Sequence, residues 1–382
     1  MGLTTAVYSD EEIIHMIELV IMKKKTHPII SRLLCIFALL ALCLTLPVAC
    51  GSSAPSLTPP GGWQDSNDAL HPDDSEAYYE WWYLDARFDN GYTCALTFFW
   101  RQRVEQYHIP LVMIDVYQPD GTQVSGAEPR EQSECKASRE KCDVVMGKDF
   151  LRQEGDDYKL SMRTKEASAE LTFHRKVPPW KWSKDGLIVD DATGKQGWVN
   201  AIPRGDVEGK LWIGDEVVNV SGQGYHDHNW GNADLPASRA GWGWGRMYDE
   251  KFTYVYGWLM PKGGGDARPT LYLAMDDQVI FASNKLKCTL SDYKVDPKAG
   301  DSIPNHIVFE GKEGDVEVSC QLDVIKVLQD KVTDDNVTGF STHYYRRLNK
   351  FKGTIIVGGK THDVSSDDAI NEYVKFVPLS GT

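Results

Sequence analysis

The sequence predicts an all-β protein, and three observations carry that reading. From Trp63 onward, short runs rich in Val, Ile, Thr and aromatic residues alternate with Gly/Asp/Asn turns; several pairs of runs flank hairpin turn signals; and long amphipathic helical periodicity is absent. In chain order, "YYEWWYLDARF" and "YTCALTFFW" flank Asp89-Asn90-Gly91, where Asn-Gly accepts positive φ at little cost. "IPLVMIDVYQ" followed by Pro119-Asp120-Gly121 repeats the pattern, as do "YKLSMRT" and "AELTFHRKV" around Lys165-Glu166-Ala167. Near the C-terminus "SDDAINEYVKF" is the best short helical candidate. Strands spaced this closely suggest antiparallel barrels or sandwiches, whose inner faces can enclose an apolar cavity.

A chain of 382 residues is long enough for two domains, because single cores seldom grow past roughly 250 to 300 residues. All twelve tryptophans lie between Trp63 and Trp258, so an aromatic-rich first unit is followed by a plainer second one. The division is set at "NADLPASRAG", giving domains 63–235 and 236–382. The formal net charge of -14 argues against a nucleic-acid surface and against broad attraction to anionic lipid, since both partners are themselves negative. An apolar or cationic ligand fits better.

Residues 1–50 read as an export signal. Met22-Lys23-Lys24-Lys25 opens a basic region, Leu33 to Leu46 is an apolar run, and Leu46-Pro47-Val48-Ala49-Cys50 closes it with small residues before a cysteine. The run is short for a bilayer span, which needs about 20 residues. Lipidation at Cys50 is the expectation, which places the protein in the cell envelope on a membrane anchor, with 51–62 as a flexible tether. Asp10, Glu11, Glu12 and Glu18 suit no export signal, so translation is expected to start near Met22. Export permits disulfides, and Cys135/Cys142 and Cys288/Cys320 are possible pairs.

Three stretches could carry chemistry. In "GYHDHNWGN", residues 224–232, an extended backbone puts His226 and His228 on one side and Asp227 and Asn229 on the other. Two imidazoles could ligate a metal, but a third ligand must come from elsewhere, and His108, His174, His306 and His343 are scattered; no metal is expected. One imidazole could instead act as general acid/base, its tautomer fixed by a carboxylate such as Asp227. The same polar groups could equally satisfy backbone where a strand leaves its barrel. In "GWGWGRMYDEKFTYVYGWLM", alternation places Trp242 with Trp244, and Tyr254 with Tyr256 and Trp258, a wall suited to an apolar ligand or a carbocation, although aromatic strands are also common core. Arg246 and Asp249 are its nearest charged groups. In "EWWYLDA", Glu80, Trp82 and Leu84 share one face, and a carboxylate beside an inward tryptophan would have a raised pKa.

Together, "EWWYLDA", "GYHDHNWG" and "GWGWGRMYD" resemble the carotenoid 1,2-hydratase (CrtC) family and its AttH-like relatives, over about residues 63 to 382. That resemblance implies two consecutive lipocalin-like β-barrel domains, and kinship with fungal cyclases of the Diels-Alderase type. For hydratase members it implies addition of water to a terminal isoprenoid double bond without a cofactor. The family's His-x-Trp maps onto His228 and Trp230; its later Tyr-x-Asp is unmatched, the region reading Tyr254-Val255-Tyr256-Gly257-Trp258. The acid is then to be sought among His228, Asp227, Asp249 and Glu80. Trp82, Trp230, Trp242, Trp244, Tyr254, Tyr256 and Trp258 are the expected contacts for an isoprenoid or polyene. The alternatives are a non-catalytic carrier of an apolar ligand and a cofactor-free cyclase.

Overall fold

The structure is a computed structural model describing residues 57–104, 107–297 and 299–379. The predicted export signal, Cys50 and residues 51–56 of the tether lie outside the described residues. The chain folds as two successive antiparallel sheets. The first holds β1 (Tyr79–Phe88), β2 (Thr93–Val104), β3 (Tyr107–Tyr117), β4 (Gln123–Pro129), β5 (Cys135–Ala137), β6 (Asp143–Met146), β7 (Asp149–Glu154), β8 (Asp157–Arg163), β9 (Ala167–Arg175), β10 (Trp180–Lys181), β11 (Leu187–Asp191), β12 (Gly194–Ile213) and β13 (Glu216–Gly231). Its order is β4-β3-β2-β1-β13-β12-β9-β8-β7-β6-β5, with β10 and β11 added on β12.

The second holds β14 (Arg239–Tyr248), β15 (Phe252–Pro261), β16 (Arg268–Met275), β17 (Gln278–Ser283), β18 (Lys287–Val295), β19 (Ser302–Glu313), β20 (Val316–Asp335), β21 (Phe340–Val357) and β22 (Lys360–Pro378), in the order β17-β16-β15-β14-β22-β21-β20-β19-β18. One turn of helix, Leu235–Ser238, capped by the Asp234 side chain, joins the sheets.

Each sheet curls round its own apolar core. In the first, Arg130 after β4 reaches across to the Asp149 carboxylate at 2.7 Å and to the Arg163 carbonyl at 2.6 Å, so one edge meets the far side of the sheet. A third cluster packs the two sheets together, with Trp180, Trp198 and Tyr225 from the first against Trp244, Tyr272 and Ile370 from the second. The aromatic spacing explains "GWGWG". Gly243 lies opposite Trp258 and Gly245 opposite Tyr256, and a Cβ at either would collide with the facing ring.

Two expectations are corrected. "SDDAINEYVKF" is part of β22, paired on both sides by β14 and β21. Past a register shift between Ser366 and Ala369 the strand is buried on both faces, Ala369 and Tyr373 in the second core and Ile370 at the junction of the sheets, and apolar residues on both faces are what resemble a helix. The five described cysteines are free. Cys288 and Cys320 both lie opposite Phe309, on β18 and β20 either side of β19. Two strand spacings, roughly 9.5 Å, exceed what a disulfide spans. Cys135 donates to the Glu131 carbonyl at 3.3 Å, while Cys142 is fully buried beside Asp68.

Candidate active site

Strands β1 and β13 pair in a register that sets Glu80 opposite Trp230, Trp82 opposite His228, Leu84 opposite His226, and Tyr83 opposite Asp227. Because side chains alternate, this ribbon carries two different sites. Glu80, Trp82, His226, His228 and Trp230 face the first barrel's interior, and Tyr83, Asp85, Tyr225 and Asp227 face the second sheet.

The inner face is a chain of carboxylates and imidazoles closed by a 3-10 turn, Asp65–Asp68. His228 Nε2 lies 2.8 Å from Glu80 Oε1, and His226 Nε2 lies 3.0 Å from Asp68 Oδ2. The Trp82 indole donates to the Asp68 carbonyl at 3.0 Å, and His228 stacks on the Trp82 ring with centroids 4.3 Å apart. His71, half-buried, stacks on Trp230 at 3.8 Å and donates its backbone N–H to Glu80 Oε1 at 2.8 Å. Tyr78 donates its hydroxyl to Glu80 Oε2. Asp68, Glu80, His226 and His228 are fully buried.

Burial alone would raise the Glu80 carboxyl, but bonds from His228 and His71 outweigh it and hold the group below its ordinary range. The same holds for Asp68, where the His226 and His228 imidazoles overcome burial. Burial would likewise depress His226, and the Asp68 carboxylate reverses that. For His228 burial wins, and the ring is held below its ordinary value and neutral. The expectation that an inward tryptophan raises Glu80 is therefore corrected: the donors round it keep it ionised. The imidazole tautomers are set by Glu80 and by the Tyr83 carbonyl, 2.9 Å from His226 Nδ1, not by Asp227.

On the outer face Asp227 accepts from the Trp198 indole at 2.9 Å and from Asn229 Nδ2 at 3.0 Å. Its Oδ2 is also 2.8 Å from the Tyr225 hydroxyl, which has a nearer acceptor, Asn200 Oδ1, at 2.5 Å. Tyr225 has one proton for two oxygens. A protonated Asp227 resolves this by donating to Tyr225, and burial does push its carboxyl up to about 7, against the bonds from Trp198 and Tyr225. Trp244 adds an indole N–H to the Tyr225 hydroxyl at 3.2 Å, and its ring meets Tyr83 edge-on at 5.6 Å. Beside them Arg246 Nε binds Asp85 Oδ1 at 2.6 Å, and Arg346 binds Glu372 at 2.5 Å and the Tyr83 hydroxyl at 2.8 Å. Burial raises the Glu372 carboxyl as well. Acid, aromatic rings and a neutralised ion network thus meet where the two sheets touch.

A model of the AttH-like family matches residues 67–362. The chain belongs to the AttH-like family. Within that family's fold it is similar to a hydroxyneurosporene dehydrogenase from Chlorobaculum tepidum, 25% identical over 252 residues, 55% of this chain and 63% of that protein. The match thus spans just under two thirds of that relative's length. Three solved structures share the fold: an AttH protein from Nitrosomonas europaea (TM-score 0.58, 14% identity, 80% of this chain and 94% of that one), CghA with Sch210972 (0.58, 12%, 82% and 94%) and kievitone hydratase from Nectria haematococca (0.53, 10%, 84% and 98%).

This AttH-like chain separates the residues that its sequence groups. His228 and Asp227, adjacent in the motif, look into different compartments. Asp249 lies apart from both and caps a turn, its Oδ1 accepting from Lys251 and Phe252 N–H at 2.8 and 2.5 Å. Tyr254, Tyr256 and Trp258 do share a face, and it is the packed core of the second barrel. Trp242 packs edge-on against Phe376. Sequence reasoning missed Asp68, His71, Arg346 and Glu372. Asp68 and His71 stand in a stretch without strand periodicity, and Arg346 and Glu372 reach the junction from strands more than a hundred residues beyond the motif. Among the described residues metal-ligand spacing occurs twice: Asp68, Cys142 and His226, and His71, Glu80 and His228, each with ligand atoms within 4.8 Å of one another. A cleft of about 430 Å³ between the sheets, lined by Lys176, Arg204, Asp206, Lys251 and Asp276 among others, is too charged for a polyene.

Proposed function

We propose that this protein is a hydratase-type enzyme acting on an apolar isoprenoid or polyene, with Asp227 as the proton donor. The observation that carries the reading is a buried carboxyl with its pKa pushed to about 7, ringed by Trp198, Tyr225 and Trp244 at the junction of the two sheets. A carboxylic acid that is neutral near pH 7 can protonate an alkene, and surrounding ring quadrupoles stabilise the cation that follows. The names of two similar proteins, a hydroxyneurosporene dehydrogenase and a kievitone hydratase, support the same substrate and reaction classes.

Protonation of one alkene carbon by Asp227 leaves a tertiary cation at the other; water adds there and its proton returns to the Asp227 carboxylate. The net change is alkene plus water to tertiary alcohol. Tyr225 and Trp198 hold the carboxyl in place, and Arg246 and Arg346 are neutralised by Asp85 and Glu372, so no free positive charge opposes the cation. The test incubates wild type and Asp227→Asn with an acyclic carotenoid in detergent and follows incorporation of 18O-water. Loss of labelled alcohol in the variant supports the reading. A wild type that retains the carotenoid without turnover identifies a carrier instead.

A further inference from the structure

We propose that Arg347 and Trp258 form a carboxylate-binding site inside the second barrel, separate from Asp227 and independent of the proposed reaction. Arg347 is fully buried, and no carboxylate among the described residues pairs with it. Its hydrogen bonds run to neutral oxygens only: Nε at 3.0 Å and Nη2 to Asn371 Oδ1, and Nη1 at 2.6 Å to the Pro304 carbonyl. A guanidinium has five N–H bonds, so two are left over, one on each terminal nitrogen. Arg246 and Arg346, equally buried in neighbouring strands, meet Asp85 and Glu372 instead. Burial pulls the Arg347 pKa down to about 10, which the phenols of Tyr373, Tyr256 and Tyr345 offset only in part. A buried cation without a counter-charge is costly, and a bound anion removes that cost.

The strand register sets a third donor beside it. Arg347 lies opposite Asn371, Asn371 opposite Gly245 and Gly245 opposite Tyr256; one row along, the same path across β21, β22, β14 and β15 runs Tyr345, Tyr373, Gly243, Trp258. Rows two residues apart are about 6.8 Å from one another. Tyr256, Trp258, Tyr345 and Tyr373 all belong to the second core, so both rows face inward. The Trp258 indole N–H is buried there without a hydrogen-bond partner. Three N–H groups thus lack an acceptor in adjacent rows of one barrel, and the two oxygens of a carboxylate can accept from all three. The other cations at this end are already neutralised. Asp301 takes Lys375 Nζ at 2.6 Å and His343 Nδ1, while Asp296 accepts the Tyr345 hydroxyl at 2.7 Å. The guanidinium fork matches a planar carboxylate, and a single negative charge balances the single buried positive one, which a phosphate dianion does not.

Isothermal titration of the full chain with hexanoate, acetate and 1-hexanol tests the site. Hexanoate is expected to bind one-to-one, and 1-hexanol, with the same tail and no charge, at least about tenfold more weakly. Acetate binding as tightly as hexanoate makes the ligand a small free carboxylate; hexanoate about tenfold tighter makes it a fatty acid whose tail enters the barrel. Arg347→Met is expected to weaken hexanoate by about a hundredfold, and Trp258→Phe, which keeps an aromatic ring and loses the N–H, by about fivefold. Should Arg347→Met fail to fold, Trp258→Phe and the comparison of hexanoate with 1-hexanol on wild type carry the test. No saturable binding of either carboxylate below about 10 mM would overturn the site. So would 1-hexanol binding as tightly as hexanoate, or an unchanged hexanoate affinity in either folded variant.

Discussion

The sharpest prediction concerns the ionisation of Asp227. Its folded pKa of about 7 stands well above the ordinary 3.8, so the native state holds a proton that the unfolded chain has lost above pH 4. A raised folded pKa contributes stability that is full below the unfolded value and is lost as pH rises through the folded one. Between pH 5 and 7 that loss runs at 1.36 kcal/mol per unit, or about 3 kcal/mol in all. Asp227→Asn cannot ionise and so cannot show this loss. It has its own cost, because an amide NH2 cannot accept from Trp198 while donating to Tyr225, a deficit of about 1 to 2 kcal/mol. About 1.6 kcal/mol of that stability is already gone at pH 5, so the two proteins are expected to be of similar stability there, with Asp227→Asn gaining on wild type by about 3 kcal/mol by pH 8. Urea unfolding of both proteins at pH 5 and pH 8 measures this, and taking the difference cancels every other titrating group. A stability difference that does not change with pH would refute the reasoning, since Asp227 would then titrate as an ordinary carboxyl.

Other outcomes follow from the same contacts. Arg246→Met leaves the fully buried Asp85 with only the Arg346 guanidinium at 3.6 Å and the Tyr83 hydroxyl at 3.1 Å, and is expected to cost about 3 kcal/mol by chemical denaturation, with much of it regained in Arg246→Met/Asp85→Asn. Gly197→Val pushes into the Trp230 ring lying against it; it is expected to unseat Trp230 from His71 and to cost about 1 to 3 kcal/mol, read by unfolding and near-ultraviolet dichroism. Glu80→Gln replaces an ionised acceptor of His71 N–H, Tyr78 and His228; its folded pKa lies below 4.5, so the stability lost is that present above pH 4.5, and the gap from wild type should close as acid titrates Glu80. Cys50→Ala is expected to release the protein from the membrane fraction and to abolish palmitate labelling, which checks the lipoprotein reading of the N-terminus.

Strand periodicity made much of this legible. Alternation alone put His226 and His228 together and Asp227 opposite them, and it grouped Tyr254, Tyr256 and Trp258 correctly. What alternation does not carry is which side of a strand is interior to a barrel and which meets another sheet. The aromatic stretch therefore left ligand wall and core both open, where Tyr254, Tyr256 and Trp258 are the second barrel's core and Trp244 lies at the junction, and Glu80 read as a raised carboxyl because its donors, His71 and Tyr78, precede β1 in irregular chain. The β22 segment failed for the complementary reason. Here both faces of the strand are buried, Tyr373 in the second core and Ile370 at the junction, so the two-residue period is lost and the spacing of Ile370, Tyr373 and Val374 imitates a helix turn.

The division of β13 bears on why two polar sites can sit so close in an otherwise apolar fold. Burying a charge is costly unless it is paired, and on the inner face each imidazole meets a carboxylate within 3.0 Å while Glu80 gathers three donors. Such a charge-paired network holds its protons firmly and fixes the ribbon. On the outer face Asp227 is hydrogen-bonded only to neutral partners, an indole, an amide and a phenol, which offset only part of the cost of its charge, and its proton remains transferable near pH 7. One strand thereby supplies rigidity from its histidines and a labile proton from the aspartate between them. A consequence can be measured: charge introduced beside Asp227 should move the alkaline limb of any pH–rate profile, where the proton donor is lost, whereas loss of His228 should lower stability without moving that limb.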